Sequence, residues 1–187
     1  MQTIRFTAEH QIFRDTLRAF IRKEIIPYVD DWEKRGEIDR SIWKKMGDMG
    51  LMGLNYPEIY GGVELDFYYS LVLCEELSHC FSGGFTISAL VIQYMSAPYL
   101  LKYGSDELKT RYLKPVIAGY MISAVAITEP GAGSDVKHIK TTAVRDGDFY
   151  IVNGSKTFIT NGYYGDFFIT AVKADPNQGT KGISLLI

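Results

Sequence analysis

Hydroxyl, carboxylate and glycine residues are concentrated in one short stretch of the sequence, TEPGAGSD at residues 128–135. The apolar segment 123–127 comes directly before it and predicts a buried strand that ends in a turn. Glycines leave backbone N–H groups exposed, and such a turn can wrap an anion, with the Ser134 hydroxyl as a further donor. A plain tight turn between two strands explains the same residues at least as well.

Several well-known sites do not match this stretch. Val136 occupies the third glycine position of a dinucleotide fingerprint, and the Gly-Lys-Ser/Thr ending of a P-loop is missing. The glycine two residues after Ser134 that a nucleophilic serine would need is also missing. Glu129 is the one tempting catalytic carboxylate. Cys74 and Cys80 have neither CxxC spacing nor a His pair beside them, so we expect structural thiols and no metal site.

The overall composition indicates a soluble globular protein. Of its 187 residues, 47% are hydrophobic and 22% are charged, and the net charge of -2 argues against a nucleic-acid partner. The N-terminus lacks the layout of a secretory signal. The longest apolar run, 85–101, is shorter than the roughly 20 residues of a membrane span, and we expect a buried helix there. A cytoplasmic or mitochondrial-matrix location is expected.

The hydrophobic period changes near residue 121, which predicts two domains, 1–121 and 122–187. The first reads as helix throughout. The second has strand patterns at 141–145, 149–152 and 156–160, each followed by an Asp-Gly or Asn-Gly pair that suits a tight hairpin. These segments predict an antiparallel meander, and further strands are expected at 166–172 and 183–187.

Charged residues on the predicted helices have a simple interpretation. Arg14, Arg18 and Arg22 lie opposite the apolar face of the first helix, and we expect a solvated face. Glu75 and Glu76 are adjacent carboxylates, but neighbours on a helix point about 100° apart and cannot face one substrate together. Ordinary helix charges are therefore expected there.

The strings AITEPGAGSD and GSKTFITNG, at this spacing and after a helical half that contains EELSHC and LLKYGSDELKTRYLKPVIAG, resemble the acyl-CoA dehydrogenase family of flavoproteins. The resemblance implies an α+β fold, in which an all-α domain over 1–121 is followed by an antiparallel β-barrel-like domain over 122–187. The helical C-terminal domain of the family is absent from this sequence. We therefore expect a fragment, or one part of a split enzyme.

The resemblance also implies FAD as the cofactor. Thr128 would bond the isoalloxazine edge, Phe158 would pack on the ring, and Thr160 would lie near flavin N5. Ser134 would lie at the FAD pyrophosphate and also bind the acyl-CoA. The full set of implied FAD-binding residues is Val125, Ala126, Ile127, Thr128, Gly133, Ser134, Phe158, Ile159 and Thr160.

The implied reaction is the α,β-desaturation of an acyl-CoA thioester, with electrons passed to an electron-transfer flavoprotein and a homo-oligomer as the usual assembly. The catalytic glutamate of the family lies in the absent domain. In the family, the residue equivalent to Glu129 has a structural role. The chain alone is therefore expected to be inactive or nearly so.

Two other interpretations stay open at this point. One is a flavin monooxygenase or nitroalkane oxidase of the same fold, against which TEPGAGSD and ITNG argue; the other is a non-catalytic binding module.

Overall fold

The computed structural model describes residues 6–187. The chain divides into two compact units, Met1–Met121 and Ile122–Ile187. In the first, the described α-helices are α1 (Ala8–Glu24), α2 (Val29–Arg35), α3 (Arg40–Asp48), α4 (Phe67–Leu77), α5 (Gly83–Leu90), α6 (Ala97–Tyr103), α7 (Asp106–Leu108) and α8 (Lys114–Ile117). Two π-helical segments, Val91–Ser96 and Lys109–Leu113, join α5 to α6 and α7 to α8.

The start and end of α1 follow from the local sequence. Thr7 caps the helix by accepting a hydrogen bond from the His10 backbone N–H, and the His10 ring accepts from the Thr7 N–H in return. After Glu24 the chain passes into a short 3-10 turn, Ile26–Tyr28, that contains Pro27. A proline has no N–H to continue the helix, so α1 ends before Pro27.

Aromatic packing lies at the centre of the helical unit. The rings of Trp32 and Trp43 both stack on Phe85, with centroids 5.5 and 5.4 Å from it. All three side chains are buried. This arrangement joins α2, α3 and α5 around one apolar centre.

The continuous helix Gly83–Tyr103 matches the predicted apolar helix and extends beyond it at both ends. Among the described residues it is the one helix long and apolar enough to cross a membrane, and 50% of its most apolar window is buried inside the structure. A core helix passes the same test of length and composition.

The expectation of a fully solvated charged face on α1 is wrong at Arg14. This residue is buried and donates to the buried Glu76 carboxylate of α4 over 2.6 Å, while Arg18 donates to the other oxygen over 2.7 Å. Burial raises the pKa of Glu76, but the bonds from Arg18 and Arg14 outweigh it and lower that pKa. Glu76 is therefore a buried ionic link between α1 and α4.

The second unit is built on one five-stranded sheet. Its strands are β1 (Ser123–Ala126), β2 (Thr142–Asp146), β3 (Phe149–Asn153), β4 (Phe167–Lys173) and β5 (Ile183–Leu186), in the spatial order β1-β4-β2-β3 with β5 also paired to β4. The hairpin of β2 and β3 turns at Gly147, whose φ of 61° suits the predicted Asp-Gly turn. The helical unit and the β unit confirm the predicted fold class.

Two details of the predicted sheet are wrong. β4 pairs in parallel with β1 and with the start of β2, so the sheet is mixed and not wholly antiparallel. Residues 156–160 form no strand, because Phe158 has a φ of 55° and the backbone there bonds to the loop after β1. A positive φ is incompatible with an extended strand.

We predict that Glu76→Gln lowers the free energy of unfolding by about 3 kcal/mol, because it removes the buried carboxylate that pairs with both Arg14 and Arg18. Denaturant unfolding followed by circular dichroism measures this change. Glu75→Gln is the matched control, since Glu75 also bonds Arg14, over 2.8 Å, but its side chain is 53% exposed. An equal loss in both variants would contradict a special role for burial.

Candidate functional site

The two sequence motifs meet inside the second unit. The backbone N–H of Thr157 donates to the Thr128 carbonyl over 2.9 Å. The Lys156 ammonium donates to the Ile127 carbonyl, also over 2.9 Å. These bonds hold the segment 156–160 against the loop that follows β1.

An open groove of about 510 Å³ lies along this junction. Ala126, Phe158 and Ile159, three of the residues expected to bind FAD, line it. The other lining residues are Lys156, Thr157, Gly162, Tyr163, Phe168 and Thr170. The wall is therefore mainly apolar and aromatic, with a few hydroxyl and ammonium groups.

Phe158 is the most exposed aromatic side chain of the described residues, with 93% of its surface accessible. Its backbone lies in the left-handed region that residues other than Gly and Asn seldom adopt. Such strain persists only where the surroundings enforce it, and it is concentrated at functional sites. The ring is held out from the unit as an open face on the groove.

The remaining expected FAD-binding residues lie beside the groove and do not line it. Val125 is buried within β1, and Ile127, Thr128 and Thr160 are half-buried. Gly133 and Ser134 are exposed in the turn after β1, which is closed by paired backbone bonds between Glu129 and Ala132. The structure thus brings together the end of β1 and residues 156–160, with the glycine turn exposed next to them.

Glu129 is the electrostatic centre of this junction. Its buried carboxylate accepts bonds from the Lys140 N–H (2.6 Å), the Thr141 N–H (2.9 Å), the Thr141 hydroxyl (2.6 Å) and the Lys156 ammonium (2.8 Å). Burial raises the pKa of Glu129, but the bonds from Lys156, Thr141 and the two backbone groups lower it to about 2. A carboxylate with so low a pKa is a poor general base, and the geometry supports a structural role.

Sequence reasoning missed two residues of the junction. Lys156 looked like an ordinary residue of a predicted strand, and no local pattern shows that its ammonium is buried. Asn161 looked like half of an Asn-Gly turn, yet it is only 4% exposed and its side-chain amide donates to the Ser123 carbonyl over 3.0 Å. The Asn-Gly pair did predict one feature of Asn161, its positive φ, which is 65° in the structure.

We predict that Glu129→Gln lowers the free energy of unfolding by about 3 kcal/mol near neutral pH, because a buried ion pair is broken. The folded-state pKa of about 2 lies below the ordinary value of 4.5, so the ionised carboxylate stabilises the fold fully above that value. This stability is lost as the pH falls toward about 2. Unfolding measured over a pH series should therefore show the difference between variant and wild type narrowing in acid.

Asp135→Asn is the control for this pH series. Asp135 bonds His138 over 2.5 Å on the exposed turn, and surface pairs of this kind contribute about 1 kcal/mol or less. An offset for Glu129→Gln that stays constant throughout the acid range would contradict the prediction.

Comparison with known proteins gives the same family over almost the whole described chain. Residues 7–120 match the family model "Acyl-CoA dehydrogenase, N-terminal domain", and residues 124–187 match "Acyl-CoA dehydrogenase, middle domain". The mitochondrial long-chain specific acyl-CoA dehydrogenase of Sus scrofa is 40% identical over 186 residues, which is 97% of this chain and 42% of that protein.

Solved structures agree with the sequence comparison. An acyl-CoA dehydrogenase from Geobacillus kaustophilus superposes with a TM-score of 0.93 at 45% identity, covering 99% of this chain and 49% of that one. The FAD complex of PigA superposes with a TM-score of 0.84 at 27% identity, covering 98% of this chain and 48% of that one. The chain spans about half the length of these relatives. By its two domain matches, its sequence identity and its fold, this chain belongs to the acyl-CoA dehydrogenase family of oxidoreductases.

Proposed function

We propose that this chain supplies the flavin-binding part of an FAD-dependent acyl-CoA dehydrogenase, which desaturates an acyl-CoA thioester between its α and β carbons. The observation that carries the proposal is the groove at the junction of the two motifs, with the open face of Phe158 on its wall. Members of the family are flavoproteins, and a structural neighbour is described as an FAD complex.

The residues present suit a flavin ring. A volume of about 510 Å³ lies within the usual range of small-molecule sites, roughly 300–1,000 Å³. Phe158 offers an unobstructed aromatic face for offset stacking, and Ala126 and Ile159 offer apolar contact. Polar groups are few, as is typical of a site in which shape and stacking give the affinity and single hydrogen bonds give the orientation.

Each proposed contact has a clear physical task. The Thr128 and Thr160 hydroxyls are the candidate hydrogen-bonding groups at the edge of the ring. Gly133 and Ser134 lie in an exposed turn that can present backbone N–H groups and a hydroxyl to the pyrophosphate, and Ser134 is also proposed to contact the acyl-CoA. When bound, FAD supplies the hydride acceptor of the desaturation.

The proposal gives this chain the tasks of binding and positioning and assigns the catalytic base to none of its residues. Glu129 bonds Lys156, which lines the groove, but the hydrogen bonds of its carboxylate are all internal to the unit. An acyl-CoA of unspecified chain length is the proposed substrate, and an electron-transfer flavoprotein is the proposed acceptor. A homo-oligomer and a cytoplasmic or mitochondrial-matrix location are proposed on the family resemblance.

We predict that the purified chain binds FAD and that Phe158→Ala weakens this binding about fivefold, because an aromatic stacking contact of about 1 kcal/mol is removed. Titration of FAD fluorescence measures the dissociation constants. Phe149→Ala is the control, since Phe149 is 78% exposed on β3 and does not line the groove. No binding by the wild type, or an equal loss in both variants, would overturn the flavin assignment.

The reaction itself is tested by anaerobic titration of the FAD-loaded chain with acyl-CoAs of several lengths. Bleaching of the flavin absorption with one range of lengths would support desaturation and identify the substrate class. Bound flavin that never bleaches would restrict the proposal to a binding role for this chain.

A further inference from the structure

Lys156 is a largely buried cation at the junction of the two motifs. Its side chain is 11% exposed, and it donates to the Ile127 carbonyl over 2.9 Å and to the Glu129 carboxylate over 2.8 Å. A desolvated ammonium is tolerated only with such partners, and bonds between charged groups are the strongest hydrogen bonds available here. Lys156 therefore fixes its own segment to the loop after β1.

We propose that Lys156 is a positioning residue, whose ammonium sets the conformation of residues 156–160 and through it the placement of the Phe158 ring. This inference rests on the proposed flavin-binding function and extends it to a residue that makes no bond of its own to the sheet. Lys156 acts through Phe158 and not on the substrate.

The Glu129 carboxylate, which accepts from the Lys156 ammonium, links Lys156 to the sheet. The same carboxylate holds Thr141, whose carbonyl accepts from the Lys173 N–H of β4 over 2.7 Å. A Cβ added at Gly154 would lie 2.4 Å from the Thr141 hydroxyl, so the chain passes directly over Thr141 just before Lys156. A continuous path of contacts thus leads from β4 to the Lys156 ammonium.

Phe158 itself contributes little to its own placement. Its ring is 93% exposed, so packing does not hold it, and its φ of 55° is unfavourable for an L-residue. The recorded bonds that hold this segment to the loop are those of Lys156 and of the Thr157 N–H to the Thr128 carbonyl. Removing the ammonium should therefore release the strained conformation locally, while the paired strands remain.

The first test is amide hydrogen exchange of the chain carrying Lys156→Met, which keeps the length of the side chain and removes its charge and donors. We expect exchange at the Thr157 N–H to accelerate roughly tenfold to hundredfold, the range that corresponds to the loss of one charged hydrogen bond. The amides of the hairpin of β2 and β3 should accelerate less than the Thr157 N–H. Lys140→Met is the matched control, because the recorded bond of exposed Lys140 to Glu129 comes from its backbone N–H.

Lys156→Gln provides a second variant, should Lys156→Met destabilise the whole unit, because the amide keeps a donor for the Ile127 carbonyl. It is expected to give a smaller acceleration, still confined to residues 156–160. Uniform acceleration over the sheet in both variants would show a general structural role and overturn the proposal. No acceleration at Thr157 would overturn it as well.

Measurements of FAD binding distinguish a failure of this positioning proposal from a failure of the proposed flavin-binding function. If the wild type binds FAD, Lys156→Met should weaken binding by a factor similar to that of Phe158→Ala, and combining the two substitutions should give less than the product of their effects. Fully multiplicative effects would overturn the positioning role. If the wild type binds no FAD, the flavin assignment fails, and hydrogen exchange alone decides whether Lys156 fixes the segment.

Discussion

The arrangement of the second unit depends on the burial of one charged carboxylate, Glu129. An ionised carboxylate removed from water costs several kcal/mol unless donors surround it. Here the donors come from residues 140–141, which lead into β2, and from Lys156, which follows β3. Loss of any one donor would leave the buried charge incompletely compensated. The carboxylate therefore fixes the loop after β1, the start of β2 and the segment 156–160 relative to one another.

This constraint explains why the candidate site has the character that it has. The buried charges of Glu129 and Lys156 pair with each other inside the unit, so the groove presents an apolar, aromatic wall with isolated polar groups. Such a surface favours a flat ring more than a strongly charged ligand. Glu129 looked like a candidate base in the sequence, but its lowered pKa and its full set of donors make it part of the frame that holds Phe158 in place.

Features set by neighbouring residues could be predicted from the sequence, and features set by distant bonds could not. The cap at Thr7 and the turn at Gly147 follow from local backbone chemistry. The non-strand conformation of 156–160 depends on Lys156 reaching a carbonyl 29 positions away, and the burial of Arg14 depends on a carboxylate 62 positions away. The hydrophobic period of a segment and the helix or strand propensity of its residues contain no information about such distant partners. The proposed flavin-binding residues were identified through whole motifs, which reflect long-range arrangements that single residues do not.

Both units bury a carboxylate against basic side chains, but with different consequences. In the helical unit, Arg14 and Arg18 lie one turn apart on α1, so Glu76 joins only one helix to another. Loss of that charge weakens the packing of a helix pair, which is a matter of stability alone. Glu129 instead gathers groups from two segments separated by the β2–β3 hairpin, and one of them carries Phe158 two residues further on. By the proposed positioning role of Lys156, loss of charge there also shifts the Phe158 ring, so stability and the geometry of the site are coupled in the second unit.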